Sequence, residues 1–193
     1  MPARRVARTQ PNQFAGLRAR ARRIQLLLMD VDGVLTDGRI YLLGWPNGAV
    51  SELKVFHAQD GAALKLAREL GLRTGIITGR LSAATEQRAR EIGIEFLCQN
   101  AAAKLPAYRS ILQQAGLEDT QVAYIGDDLP DLPVLRCVGL AVAVNNAVLE
   151  VKRAAHYVTR CRGGEGAVRE VVELLLRARG QWSQLLRLLR EGL

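Results

Sequence analysis

The 193-residue sequence predicts an α/β fold in which a parallel sheet is covered by helices on both faces. Two observations carry that expectation. Short apolar runs recur along the chain, and most are separated by stretches of about ten residues with helical spacing that end in glycine. Acids, a hydroxyl and a lysine also follow the ends of successive apolar runs, as expected where a parallel sheet presents its carboxyl edge to a ligand.

Each element has a local signature. Ile24 to Met29 is a buried strand, preceded by a surface helix from Asn12 to Arg23. Arg39 to Phe56 holds two β-type stretches, RIYLL and AVSELKVF, around the turn formers of GWPNG, and predicts a hairpin at about 39–56. Gly61 to Leu70 has helical spacing and stops at Gly71. Regular alternation follows: a strand at 72–78, a helix from Ser82 to Ile92 closed by Gly93, and a strand at 94–98. A helix from Leu105 to Ala115, with Pro106 in its first turn, ends at Gly116. Strands at 121–126 and 139–144 come next, then helices from Asn146 and Glu165 and an amphipathic C-terminal piece. Helix-length connections between strands imply right-handed crossovers.

Composition narrows the function. The net charge is +8, and Arg4, Arg5, Arg8, Arg18, Arg20, Arg22 and Arg23 account for all but one unit of it. The expected organisation is a basic arm at 1–15 and a single domain at 16–193. A near-neutral body with 5% aromatic residues does not predict a nucleic-acid binder. No run reaches the ~18 apolar residues of a membrane span, and no secretory signal is recognised. Cys98, Cys137 and Cys161 form neither a disulfide framework nor a zinc pattern, so the expected setting is a reducing cytoplasm.

The residues beyond the strand ends carry the chemistry. Asp30 and Asp32 follow the first strand, Thr78, Gly79 and Arg80 the second, Lys104 the third, and Asp127 and Asp128 the fourth. Two carboxylates two positions apart on extended backbone face the same side and repel unless a cation or a proton intervenes. Carboxylates with no neighbouring His or Cys suit Mg²⁺, which takes few protein ligands and leaves positions for substrate oxygens. A calcium loop fails at its own spacing, with Val34, Leu35 and Tyr41 where ligands or glycine are required. Acids around a cation, opposed by a lysine and a hydroxyl, form a receptor for a phosphoryl group. One carboxylate can be the nucleophile and the other the general acid and base. No Walker A loop is present to cradle a nucleotide.

DVDGVLT, ITGR, the Lys104 region and GDDLPDLPVL resemble the four motifs of the haloacid dehalogenase superfamily of phosphatases. That resemblance implies a three-layer, Rossmann-like sheet with a β-hairpin flap. Only 46 positions separate Asp32 from Thr78, which leaves no room for a cap domain. It also implies roles. Asp30 is the expected nucleophile and a metal ligand. Asp32 is the acid/base, with its carbonyl on Mg²⁺. Thr78 holds phosphoryl oxygens, Lys104 balances charge, Asp127 completes the metal site, and Asp128 stands behind it.

KVFHAQDGAALKLA, QNAAAK, HYVT and GGEGAVRE further resemble the capless 3-deoxy-D-manno-octulosonate 8-phosphate phosphatases of lipopolysaccharide biosynthesis. The resemblance implies a homotetramer whose hairpins meet at the centre. It also implies substrate contacts at His57, Asp60, Gly61, Lys65, Arg80 and Arg88, together with Asp32 and Lys104. Gln59 departs from an arginine common in that family, Ala62 and Ala63 from a DGxG step, and Asn100 from a glycine. Two other readings are a phosphatase for a nonulosonate 9-phosphate and a non-catalytic oligomeric or RNA-binding module. The module would have no use for the full set of strand-end groups.

Overall fold

The structure is a computed structural model that describes residues 11–191. The first ten residues of the expected basic arm lie outside them, and helix α1 (Pro11–Arg23) begins at its far end. The strands β1 (Leu26–Met29), β4 (Arg73–Ile77), β5 (Phe96–Cys98), β6 (Val122–Gly126), β7 (Leu140–Ala143) and β8 (Tyr157–Val158) form one six-stranded sheet in the order β5-β4-β1-β6-β7-β8. Every pairing in it is parallel. Each residue of β1, β6 and β7 is buried, as apolar runs must be in a sheet covered on both faces.

Helix α7 (Ala167–Ala178) packs against α1, α2 (Ala58–Glu69) and α8 (Trp182–Glu191). A second group joins α4 (Lys104–Ala115) to α5 (Leu132–Leu135) and α5 to α6 (Leu149–Ala154). Helix α3 (Ala83–Ile92) starts one residue after Ser82, whose hydroxyl caps it by accepting a hydrogen bond from Thr85 N at 3.2 Å, and ends at Gly93 in the left-handed conformation. Several boundaries differ from expectation by one to three residues, as at α6, which begins at Leu149 and not at Asn146. Helix α2 begins three residues early, with His57 in extended backbone at its N-cap position and no side-chain cap. The two-residue strand β8 is too short to leave a period in the sequence.

The hairpin consists of β2 (Tyr41–Gly44) and β3 (Val50–Leu53), which pair only with each other. Its turn closes through Trp45 N to Ala49 O at 2.8 Å, with the Asn47 side chain accepting from Ala49 N. β1 lies at the topological switch point: the chain leaves it for β4 and β5 on one side, then returns for β6 on the other. A ligand cleft is expected beyond the carboxyl end of β1.

Candidate active site

Asp30 follows β1 directly and is 8% exposed. Its backbone N–H still pairs with Ile125 O at 3.1 Å, so the residue is anchored as a further strand position. One carboxylate oxygen accepts from Val31 N at 2.7 Å and the other lies 2.8 Å from Lys104 Nζ. Thr78 follows β4 and is buried; its N–H bonds Cys98 O and its carbonyl accepts from Ala101 N. Lys104 opens α4 after a loop in which Asn100 has φ 56°, the one left-handed non-glycine among the described residues. The asparagine that replaces a glycine therefore does adopt glycine's backbone.

Asp30, Asp32, Thr78, Arg80, Lys104, Asp127 and Asp128 all line one cleft of about 330 Å³, together with Asp131. Asp131 was not anticipated. It is fully buried and accepts four hydrogen bonds, from Lys104 Nζ at 2.6 Å, Tyr124 OH at 2.7 Å, Asp127 N at 2.9 Å and Asp128 N at 3.3 Å. It sets the Lys104 ammonium between two acids and fixes the backbone that presents Asp127. Its position three residues past Asp128 was the available signal, since a 3₁₀ turn there closes a reciprocal capping box.

The electrostatics are those of an acid cluster short of cations. Burial raises the Asp30 pKa to about 6; Lys104 opposes the shift and Asp131 adds to it. Burial, then Asp30 and Asp131, pushes Asp127 up to about 8. For Lys104, burial acts to lower the pKa, but Asp30 and Asp131 outweigh it and raise it.

The residues present fit a hard divalent cation. Carboxylate oxygens of Asp30, Asp127 and Asp131 lie within 4.8 Å of one another, and Asp127 Oδ1 is buried without a hydrogen-bond partner. Asp131 already accepts two donors at each oxygen, so Asp30 and Asp127 are the acids with capacity left for a metal. The Asp127 carboxylate rests on Gly33, where an added Cβ would lie 2.0 Å from Oδ2; Gly33 also has φ +91°. This loop is buttressed by Gly163, at which a Cβ would meet Gly33 O at 1.7 Å. The GGEG stretch is thus the floor beneath the DVDG loop as well as a turn before α7.

Asp32 faces the hairpin. Its Oδ1 accepts from the Lys54 ammonium, and its Oδ2 lies 3.7 Å from Arg80 Nε. Asp128 accepts from its neighbour Leu129 N at 2.8 Å.

His57, Asp60, Gly61, Lys65 and Arg88 do not line the cleft. Asp60 is 1% exposed. Its carboxylate accepts from Arg169 N at 2.7 Å and supplies the cap that Gly166, at the N-terminus of α7, has no side chain to give. Gly61 makes room for the Arg88 guanidinium, which a Cβ would meet at 2.2 Å. Arg88 lies over the Phe56 ring and pairs with Glu91 at 2.9 Å; Lys65 approaches the same acid at 4.0 Å. His57 Nδ1 is buried without a partner.

A family model described as haloacid dehalogenase-like hydrolase matches residues 93–171. The 3-deoxy-D-manno-octulosonate 8-phosphate phosphatase of Escherichia coli is 45% identical over 167 residues, 86% of this chain and 87% of that protein. Among solved structures, the phosphatase of the same name from Moraxella catarrhalis, in complex with a magnesium ion, a phosphate ion and a KDO molecule, superposes with a TM-score of 0.85 at 38% identity, covering 93% of this chain and 99% of the other. The cobalt-bound enzyme from Haemophilus influenzae gives 0.79 at 34% identity, over 86% and 98%. Four strand ends converging on one acidic cleft, in a capless sheet that matches these proteins over most of their length, place the chain in the haloacid dehalogenase superfamily, within the 3-deoxy-D-manno-octulosonate 8-phosphate phosphatase family.

Proposed function

We propose that this chain is a Mg²⁺-dependent phosphomonoesterase that hydrolyses 3-deoxy-D-manno-octulosonate 8-phosphate to the free sugar acid and phosphate, a step of lipopolysaccharide biosynthesis. The observation that carries the reading is the convergence of Asp30, Asp32, Thr78, Lys104 and Asp127 on one cleft. The Asp30 carboxylate attacks phosphorus; the ester bond breaks, and the departing oxygen takes a proton from Asp32. Asp32 then removes a proton from water, which attacks the phosphoryl group on Asp30 and releases phosphate. Thr78 and Lys104 hold the phosphoryl oxygens, Arg80 is placed for an anionic group of the substrate, and Asp131 keeps Lys104 in place. Asp30, Asp127 and the Asp32 carbonyl would hold Mg²⁺, which supplies charge neutralisation and favours the ionised acids. Asp128 supports this set by capping the turn after β6.

The active assembly is a homotetramer built on the hairpin. Tyr41, Leu42, Leu43, Trp45, Val50, Leu53 and Val55 are all exposed on this element, and a lone two-stranded hairpin is marginal in water. His57, Lys65 and Arg88, outside this chain's own cleft, are assigned to the part of the substrate that a neighbouring copy's cleft leaves uncovered. The three cysteines are unpaired, in keeping with a cytoplasmic setting, and among the described residues no helix is long and apolar enough to cross a membrane.

A phosphate-release panel tests the proposal. Wild-type protein with Mg²⁺ is expected to prefer the octulosonate ester over hexose and aryl phosphates, to stop with EDTA, and to lose at least ~10³-fold with Asp30→Asn. Full turnover by Asp30→Asn, or indifference to EDTA, refutes the mechanism. A preference for the nonulosonate 9-phosphate refutes the substrate.

A further inference from the structure

The hairpin sends two side chains onto Asp32 and Arg80, residues that line the cleft, and the strand-end groups do not account for them. Along β3 and the residues after it, Ser51, Leu53 and Val55 are exposed while Glu52, Lys54 and Phe56 are half-buried. The Lys54 side chain is only 4% exposed, and its ammonium meets Asp32 Oδ1, with Glu52 Oε1 at 3.7 Å. Glu52 Oε1 in turn accepts from Arg80 Nη2 at 2.6 Å, and Glu52 Oε2 accepts from the Ser82 hydroxyl that caps α3. Arg80 Nε lies 3.7 Å from Asp32 Oδ2. Two acids and two cations thus form a closed ring, in which each acid is bracketed by both cations. An ammonium this deep must be paired, so its geometry is determined rather than incidental.

We propose that Lys54 and Glu52 are positioning residues for this site: Lys54 fixes the Asp32 carboxylate, Glu52 fixes the Arg80 guanidinium, and the hairpin's seating on the cleft therefore sets both proton transfer and anion binding. The inference rests on the phosphatase reading, in which Asp32 protonates the leaving oxygen and Arg80 meets the substrate. Without Lys54, Asp32 keeps only Arg80 at 3.7 Å and has no tether on its other oxygen. Misplacing a reacting group by about 1 Å can cost ~10²-fold in rate.

The test uses the full-length protein with Mg²⁺ and kcat/KM on two esters. One is 3-deoxy-D-manno-octulosonate 8-phosphate, whose alkoxide must be protonated as it leaves. The other is p-nitrophenyl phosphate, whose phenolate leaves unaided. Lys54→Met is expected to fall ~30- to 100-fold on the sugar ester but no more than ~3-fold on the aryl ester, and Lys54→Arg to recover to within ~5-fold of wild type. Glu52→Gln, which frees Arg80, is expected to raise KM for the sugar acid ~5-fold or more with kcat within ~3-fold. An equal fall on both esters, or no fall, overturns the positioning role while leaving the phosphatase reading intact. Absence of phosphate release by wild type from either ester overturns both. If Lys54→Met does not fold, Glu52→Gln decides, and an unchanged KM refutes the proposal.

Discussion

Replacing Asp131 with asparagine should unfold the protein at markedly lower temperature, although the change removes no volume. The buried carboxylate serves four donors, two at each oxygen. Asparagine offers a single acceptor oxygen. If that oxygen turns to Lys104 and Tyr124, the amide NH₂ points at Asp127 N and Asp128 N and leaves both unpaired. If it turns to the backbone, the NH₂ faces an ammonium. Two donors are lost either way, and hydrogen bonds to a charged group contribute about 1.5–3 kcal/mol each. Breaking a buried ion pair from one side costs about 3–5 kcal/mol, a consistent range. For a domain of this size each kcal/mol moves Tm by about 2–4 °C, so Asp131→Asn should melt ~6–20 °C below wild type. Urea unfolding gives the free energy directly. Asp128→Asn is the control, because that side chain lies at the surface, where it accepts from Leu129 N and closes the capping box of the turn, and asparagine caps such a turn about as well, so the change should cost under ~1 kcal/mol. If Asp131→Asn stays within ~1 kcal/mol of wild type, Asp131 is not the hub of the cluster and Lys104 is held by other means.

Two further outcomes follow from the acid cluster. Asp127 and Asp30 hold protons in the metal-free fold up to about 8 and about 6, against 3.8 ordinarily, so across that window the folded state binds more protons than the unfolded chain. The stability of metal-free protein must then decline as pH rises through the window, while Mg²⁺, which displaces those protons, should raise Tm more at about pH 8.5 than at about pH 5.5. Asp127→Asn should flatten the decline and remove the Mg²⁺ gain, as read by thermal scans with and without the metal; a larger gain at acid pH would contradict the assignment. Gly33→Ala places a Cβ 2.0 Å from Asp127 Oδ2 at a backbone of φ +91°. The strain alone costs about 1–3 kcal/mol, and activity should fall by ~10²-fold or more, with Mg²⁺ binding weakened in calorimetry; near-wild-type metal affinity would show that the carboxylate does not rest there.

What the sequence made legible was what local chemistry decides. The run LLLM can only be a strand buried on both faces, Ser82 and Gly93 mark the ends of α3, and Asn100 takes the backbone left open by a missing glycine. The cleft could be read because its acids, hydroxyl and lysine each follow a strand, and a parallel sheet brings strand ends together whatever the loops do. Asp131 could not be weighted in the same way. In GDDLPDLPVL it is a third acid within five positions, and only depth distinguishes a saturated hub from a surface cap. Asp60 adds a partnership no local pattern records: its carboxylate caps a helix more than 100 residues further along the chain.

The hairpin was found, but its orientation inverts the usual rule. Period-two alternation with apolar residues normally turns the apolar side inward. Here Tyr41 and Leu53, paired across the ladder, point outward with Leu43, and the side that meets Asp32 and Arg80 carries Glu52 and Lys54. The reason is what lies beneath: not an apolar core but Asp32, Arg80 and Ser82, which need charged partners. An apolar β3 would leave the Asp32 carboxylate without its nearest cation. A fully polar hairpin would seat equally well here yet give a second copy no apolar face to bury. The same eight residues, AVSELKVF, therefore answer two demands on opposite sides. A change that weakens the outward face should loosen the inward contacts as well, since the hairpin has no strand of the main sheet to hold it.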